Sequence, residues 1–203
     1  MKIICIGRNY ADHAKEMKTE VPKEPVFFMK PDTALLKDGQ DFYFPDFTSD
    51  LHYECELVVR IEKVGKNIAE KFAPKYYSSV SLGIDFTARD LQAICKEKGL
   101  PWEMAKAFDH SAPISNKYIL IDQVNLSDLH FEFIQNGKTV QKGHTADMIF
   151  SVDKIIAYVS RYMTLKTGDL IYTGTPAGVG PVKVGDQLEG YLNSEKMFSF
   201  SVK

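Results

Sequence analysis

Glu54 and Glu56 stand two residues apart in His52-Tyr53-Glu54-Cys55-Glu56-Leu57-Val58-Val59, and Asp85 follows in Gly83-Ile84-Asp85-Phe86-Thr87. In a β-strand alternate side chains share a face. His52, Glu54 and Glu56 therefore fall on one side, with Leu51, Tyr53, Cys55 and Leu57 on the other. Carboxylates at i and i+2 lie roughly 7 Å apart, at about 3.3 Å of rise per residue, and a cation between them touches both. Without one, like charges on a partly buried face repel each other and lose hydration. A hard divalent ion, Mg²⁺ or Mn²⁺, removes that cost and takes a few oxygen ligands plus waters. Asp85 ends the apolar run Val80, Leu82, Ile84 ahead of an expected helix start. Strand ends are a usual address for site residues, so Asp85 is the candidate third ligand. The same alternation also describes any half-exposed strand, and on these residues alone both readings stand.

The elements that must position these groups are legible as patterns. Met1-Lys2-Ile3-Ile4-Cys5-Ile6-Gly7 reads as a first strand rather than a signal-peptide core, and Asn9 to Met17 is helix-compatible. Pro22, Pro25, Pro31 and Pro45 punctuate the next stretch, so Val26-Phe27-Phe28-Met29 is expected at a sheet edge or in irregular loop. Strands are expected over Leu51 to Glu62 and Val80 to Asp85. Thr87-Ala88-Arg89-Asp90 fits a capping box for a helix reaching about Lys98, with Gly99 as its stop. Asn136-Gly137 between Leu129–Gln135 and Lys138–Lys142 is a strong hairpin signal. Ser151 to Met163 carries a helical stripe of Ile155, Ile156 and Val159, with Tyr162 as a possible extension. Thr167-Gly168-Asp169-Leu170-Ile171 and Val184-Gly185-Asp186-Gln187-Leu188 each look like a turn feeding a strand. Strands outnumber helices without βα alternation, which points to an α+β, mostly β fold with a mixed or antiparallel sheet.

Composition narrows the class. The chain has 203 residues, 44% hydrophobic and 26% charged, with a net charge of −2. That suits one domain spanning 1–203, with an N-terminal strand, short helix and Pro-rich segment over 1–47 and a β core carrying the three carboxylates over 48–203. Lys and Arg are scattered, so no nucleic-acid surface is expected. No apolar run is long enough for a membrane-spanning helix. Cys5, Cys55 and Cys95 are odd in number and widely spaced, as suits reduced packing thiols in a cytoplasmic protein. Gly174-Thr175-Pro176-Ala177-Gly178-Val179-Gly180 lacks the Gly-Lys-Ser/Thr ending of a phosphate loop and reads as a tight turn offering N–H groups to a ligand.

Eight phrases in order resemble the fumarylacetoacetate hydrolase family, nearest to its short acylpyruvase and oxaloacetate decarboxylase type. They are Gly7-Arg8-Asn9-Tyr10, His13-Ala14-Lys15-Glu16, Phe28-Met29-Lys30-Pro31, His52-x-Glu54-x-Glu56, Gly83 to Asp90, Lys98 to Trp102, Ala105-Lys106-x-Phe108 and Thr173 to Gly180. The resemblance implies a mixed β-roll, a homodimer, Mg²⁺ or Mn²⁺ on Glu54, Glu56 and Asp85, and a His13–Glu16 pair on a segment closing over substrate. It places a site lysine at Lys106, and leaves substrate carboxylate to Arg89 and Gln92 or to Thr173, Gly174 and Thr175. Alone, His13 and Glu16 read as an exposed ion pair on a helix, three residues apart on one face; within the resemblance they become a general base and its orienting carboxylate.

The implied chemistry centres on small 2-oxo acids. A divalent ion with open positions takes a carboxylate and a keto oxygen together, and Lys106 adds positive charge where an enolate develops. The leading expectation is hydrolysis of acylpyruvates, 2,4-dioxo acids such as fumarylpyruvate or acetylpyruvate, to pyruvate and a carboxylic acid. Oxaloacetate decarboxylase or keto–enol tautomerase is the close rival, and an isomerase of unsaturated 2-oxo diacids a third. A silent ligand-binding module fits less well, because a pure binder needs no general base. His52 is left outside the site, and His110, His130 and His144 read as incidental.

Overall fold

The computed structural model describes every residue except Asp38. In chain order the strands are β1 Ile3–Gly7, β2 Val26–Lys30, β3 Leu35–Lys37, β4 Leu51–Tyr53, β5 Cys55–Ile61, β6 Tyr77–Ile84, β7 Thr87–Ala88 and β8 Ala112–Ile114. They continue with β9 Ile119–Leu120, β10 His130–Gln135, β11 Lys138–His144, β12 Leu170–Tyr172, β13 Gly180–Pro181, β14 Gln187–Leu192 and β15 Glu195–Ser201. The α-helices are α1 Ala11–Glu16, α2 Arg89–Lys98, α3 Glu103–Lys106 and α4 Val152–Tyr162.

The largest sheet runs β2-β1-β12-β5-β6-β8-β3, with β9 added to β6. Its β1–β12 and β3–β8 pairs are parallel and the others antiparallel, so the expected mixed, mostly β architecture stands. A second sheet runs β11-β10-β14-β15 and a small third one β13-β4-β7. β5 and β6 are buried on both faces: Leu57, Val59 and Ile61 enter the main core, while Val58 packs with Ile3, Cys5 and Tyr172 on the opposite side. Strands covered on both faces read as continuous apolar runs. β2 sits at the sheet edge, as its flanking prolines require.

Local signals hold in most places. Asn136 and Gly137 both adopt positive φ, 53° and 75°, the backbone of a type I′ turn, and join β10 to β11. Ser151 caps α4 by accepting the Lys154 N–H at 3.2 Å, and Ile155, Ile156 and Val159 are buried. Tyr162, the suggested extension of that stripe, is exposed. Gly99 ends α2 in the left-handed region.

Two expectations require correction. Leu51 to Glu62 is not one strand. The chain breaks at Glu54, where β4 leaves the small sheet and β5 enters the large one. Alternation survives the break, since Tyr53, Cys55 and Leu57 share the main core, so periodicity carries no mark of the change of partner. The capping box also fails. Thr87 lies in β7 and donates to the Asp85 carbonyl, while Asp90 accepts from Thr48 and from the Ser49 and Leu91 amides. A local carbonyl has taken the Thr87 hydroxyl and the distant Thr48 and Ser49 share Asp90, so α2 begins at Arg89 without a side-chain cap.

Candidate active site

The three carboxylates singled out by spacing converge. Glu54 occupies the break between β4 and β5, Glu56 is the second residue of β5, and Asp85 follows the last residue of β6. Register brings Glu56 opposite Gly83, and the Asp85 N–H donates to the Glu54 carbonyl at 2.8 Å. All three are buried, with ligand oxygens within 4.8 Å of one another. Gly83 is required beside them: a Cβ there would meet the Pro113 carbonyl at 2.7 Å and the Tyr172 ring at 2.8 Å.

Cations surround the cluster on one side. Lys106 Nζ donates to Glu54 Oε2 at 2.9 Å and Asp85 Oδ2 at 2.7 Å, and lies 5.1 Å from the Phe28 ring centroid. Arg89 donates to Glu54 Oε1 at 2.7 Å and to Gln92 Oε1 at 2.8 Å. Burial disfavours ionised Glu54, but Lys106 and Arg89 outweigh it and hold its carboxyl well below the usual range. Burial likewise works against the Lys106 ammonium, and Asp85 with Glu54 reverses that, raising its pKa.

Glu56 has the opposite setting. Burial first, then the like charges of Asp85 and Glu54, push its carboxyl well above the ordinary range, against a backbone bond from Gly174 N–H at 2.7 Å and the nearby charge of Lys106. A buried carboxylate crowded by two others, with no side-chain cation bonded to it among the described residues, is the setting a hard divalent ion relieves. The all-oxygen donor set matches Mg²⁺ or Mn²⁺ chemistry. The residues therefore fit the expected metal.

A cavity of about 190 Å³ opens above these groups. His13, Arg89, Gln92, Lys96, Lys106 and Thr175 are among its lining residues. His13 is buried on α1, and its Nδ1 lies 3.2 Å from Glu16 Oε2. Glu16 in turn accepts the Gly178 N–H at 3.1 and 3.2 Å from its two oxygens, so the Gly-rich turn holds the Glu16 carboxylate in place.

Thr173 and Gly174 do not line the cavity. The Thr173 hydroxyl donates to the Leu57 carbonyl at 2.9 Å, and Gly174 positions Glu56. Of that turn only Thr175 reaches the cavity, its hydroxyl donating to the Cys55 carbonyl. His52 faces Asp50 at 2.9 Å and lies outside the cavity.

Sequence reasoning passed over several residues that build the site. Lys30 is fully buried, 2.7 Å from Asp85 Oδ1, and donates to the Phe86 and Ser111 carbonyls at 3.1 and 2.8 Å. Asn9 ties the Thr173 carbonyl to Phe150 through three bonds of 2.7 to 3.0 Å. Gln141 of β11 clamps the Cys55 N–H, the Thr175 hydroxyl and the Pro176 carbonyl. Arg8 lines the cavity with φ of 63°, uncommon for a side chain of its size. Lys30, Arg8 and Asn9 sat inside resemblance phrases; Gln141 had no signal.

This fold and this carboxylate-floored cavity are those of one enzyme class. The fumarylacetoacetate (FAA) hydrolase C-terminal family model matches residues 2–198, and the chain belongs to that family. The mitochondrial oxaloacetate tautomerase of Mus musculus is 45% identical over 204 residues, covering 99% of this chain and 91% of that protein. The tautomerase of Arabidopsis thaliana, also named mitochondrial, is 43% identical, covering 100% and 91%. Among solved structures, fumarylpyruvate hydrolase from Pseudomonas aeruginosa, in complex with Mn²⁺ and pyruvate, superposes with a TM-score of 0.93 at 37% identity, covering 100% of this chain and 89% of that one.

Proposed function

We propose that this chain is a Mg²⁺- or Mn²⁺-dependent enzyme that interconverts the keto and enol forms of a small 2-oxo diacid of the oxaloacetate type. The carrying observation is the pairing of His13, buried and hydrogen-bonded to Glu16, with a cationic cavity floored by Glu54, Glu56 and Asp85. The named activity of the tautomerase relatives favours this rival in part over the hydrolysis that the resemblance first suggested. Glu54, Glu56 and Asp85 hold the metal, which supplies a Lewis acid to polarise a 2-oxo carbonyl.

The protein's own groups do the rest. His13 takes a proton from the carbon between the keto and distal carboxyl groups, and Glu16 stabilises the resulting imidazolium. Lys106 supports the negative charge that develops on the oxygen, which takes up a proton from water to complete the enol while His13 gives its proton back to solvent. Arg89, with Gln92 fixing its plane, meets a substrate carboxylate. Thr175 closes the wall beside them. We further place the enzyme in a reducing compartment, supported by three buried free thiols, and as a homodimer acting through a single catalytic domain.

Acylpyruvate hydrolysis is the second reading, supported by the fumarylpyruvate hydrolase likeness and by the availability of His13 to activate water. The test is a comparison in one preparation: tautomerisation of oxaloacetate, its decarboxylation, and pyruvate release from acylpyruvates, each with Mg²⁺, Mn²⁺ or chelator. His13→Ala should lower tautomerisation by about 10²- to 10⁴-fold, as loss of a general base does. Decarboxylation, which needs no base, should keep a larger share. Acylpyruvate cleavage far exceeding tautomerisation would reverse the order of the two readings. Equal losses in all three activities would remove the proton-transfer role of His13.

A further inference from the structure

A second group of ligating side chains lies on the outer sheet. Asp128 ends a 3₁₀ turn over Leu126–Asp128, His130 opens β10, and His144 closes β11. Register sets His130 directly opposite His144. Their rings stack at 4.0 Å between centroids with 13° between planes. Both Nε2 atoms turn toward one oxygen, Asp128 Oδ1, at 3.7 Å from His130 and 2.7 Å from His144. The three ligand atoms lie within 4.8 Å of one another.

The backbone under these residues is fixed from several sides. Asn193 Oδ1 accepts the His130 N–H at 3.0 Å. Thr145 Oγ1 accepts the Leu129 N–H at 2.8 Å, and the Thr145 N–H returns to the Leu129 carbonyl. The Asp128 N–H bonds the Asn125 carbonyl. Among the described residues, no Lys or Arg forms an ion pair with Asp128. Glu54 and Asp85, by contrast, are each paired with cations.

We propose that Asp128, His130 and His144 form a surface site for a divalent transition ion of borderline softness, of the Zn²⁺ class. Two imidazoles and one carboxylate favour such an ion over Mg²⁺, whereas the all-oxygen set of the buried carboxylates lacks the nitrogen donors that give this preference. Ligation asks little of the protein. The ring proton moves to Nδ1, and one exposed ring turns about χ2 so that both nitrogens point at the ion. Water completes the coordination. The bound ion joins the start of β10, the end of β11 and the preceding turn, pinning the edge strand of that sheet.

The test uses ZnCl₂ as the probe, titrated into the full chain at pH 7.5 with Mg²⁺ saturating the carboxylate site. Calorimetry should show one Zn²⁺ equivalent, and imidazole ¹H–¹⁵N spectra should move the His130 and His144 signals while leaving His52 and His110 in place. His144→Ala and, separately, Asp128→Asn should weaken this binding by more than the roughly 10- to 100-fold that loss of an outer-shell partner costs. Both variants lie at the surface, and circular dichroism checks their fold. Zn²⁺ binding unchanged in both variants, shifts confined to other histidines, or no saturable Zn²⁺ binding in the wild type would each overturn the site.

Discussion

Lys30→Met should cost the protein much of its stability, because Lys30 anchors the site rather than serving its cavity. Its ammonium is fully buried, 2.7 Å from Asp85 Oδ1, with two backbone carbonyls as its other partners. Breaking a buried charge pair by removing one member costs about 3–5 kcal/mol. The lower end applies here. Asp85 keeps Lys106 at 2.7 Å, and the Ser111 carbonyl keeps the Phe86 N–H at 2.9 Å. A loss of about 3 kcal/mol in a chain of this size corresponds to a fall in Tm of roughly 6–12 °C. Urea unfolding by circular dichroism and calorimetric melting, both in chelator, measure it. Lys106→Met is the control. It leaves Glu54 with Arg89 and Asp85 with Lys30, so it should destabilise less while removing more activity. If Lys30→Met stays within about 1 kcal/mol of wild type, or Lys106→Met is the more destabilised of the two, the division of labour between these lysines is wrong.

The remaining expectations are shorter. Glu56→Gln keeps an acceptor for the Gly174 N–H but removes a crowded charge, so Mn²⁺ binding by calorimetry should collapse while the melting temperature in chelator holds or rises. Gly174→Ala forces a side chain into φ of 100° with its Cβ 2.6 Å from that of Asn9, and denaturant unfolding should show a loss of at least about 1–3 kcal/mol. Asp186 is held below the ordinary carboxylate range because bonds from Asn136, Lys183 and Gln135 outweigh its partial burial. A depressed folded-state pKa gives stability that is present above about pH 4 and lost as pH falls. Asp186→Asn should therefore lie below wild type near neutral pH, with the two stability curves converging in acid.

The sequence determined what local periodicity can carry. Glu54 and Glu56 at i and i+2 had to share a face on an extended chain, and Asp85 at the end of an apolar run had to stand at a strand end; the structure brings their oxygens together. Asn136-Gly137 and Ser151 specified a turn and a cap because their conformational preferences act within a few residues. Tertiary structure alone decided the rest. Glu54 is a change of sheet as well as a candidate ligand, since Tyr53, Cys55 and Leu57 keep the same core on both sides of the break. Asp90 left its capping role for Thr48 and Ser49, partners brought in by folding, and Thr87 was drawn into β7 by pairing with β4. Lys30, Asn9 and Gln141 look like ordinary polar residues until segments 34 to 164 positions away enclose them. His130 and His144 meet through hairpin register, and Asp128 through the turn before it. A side chain's neighbours along the chain fix its face, but its burial and partners come from segments whose meeting is set by the packing of the whole core.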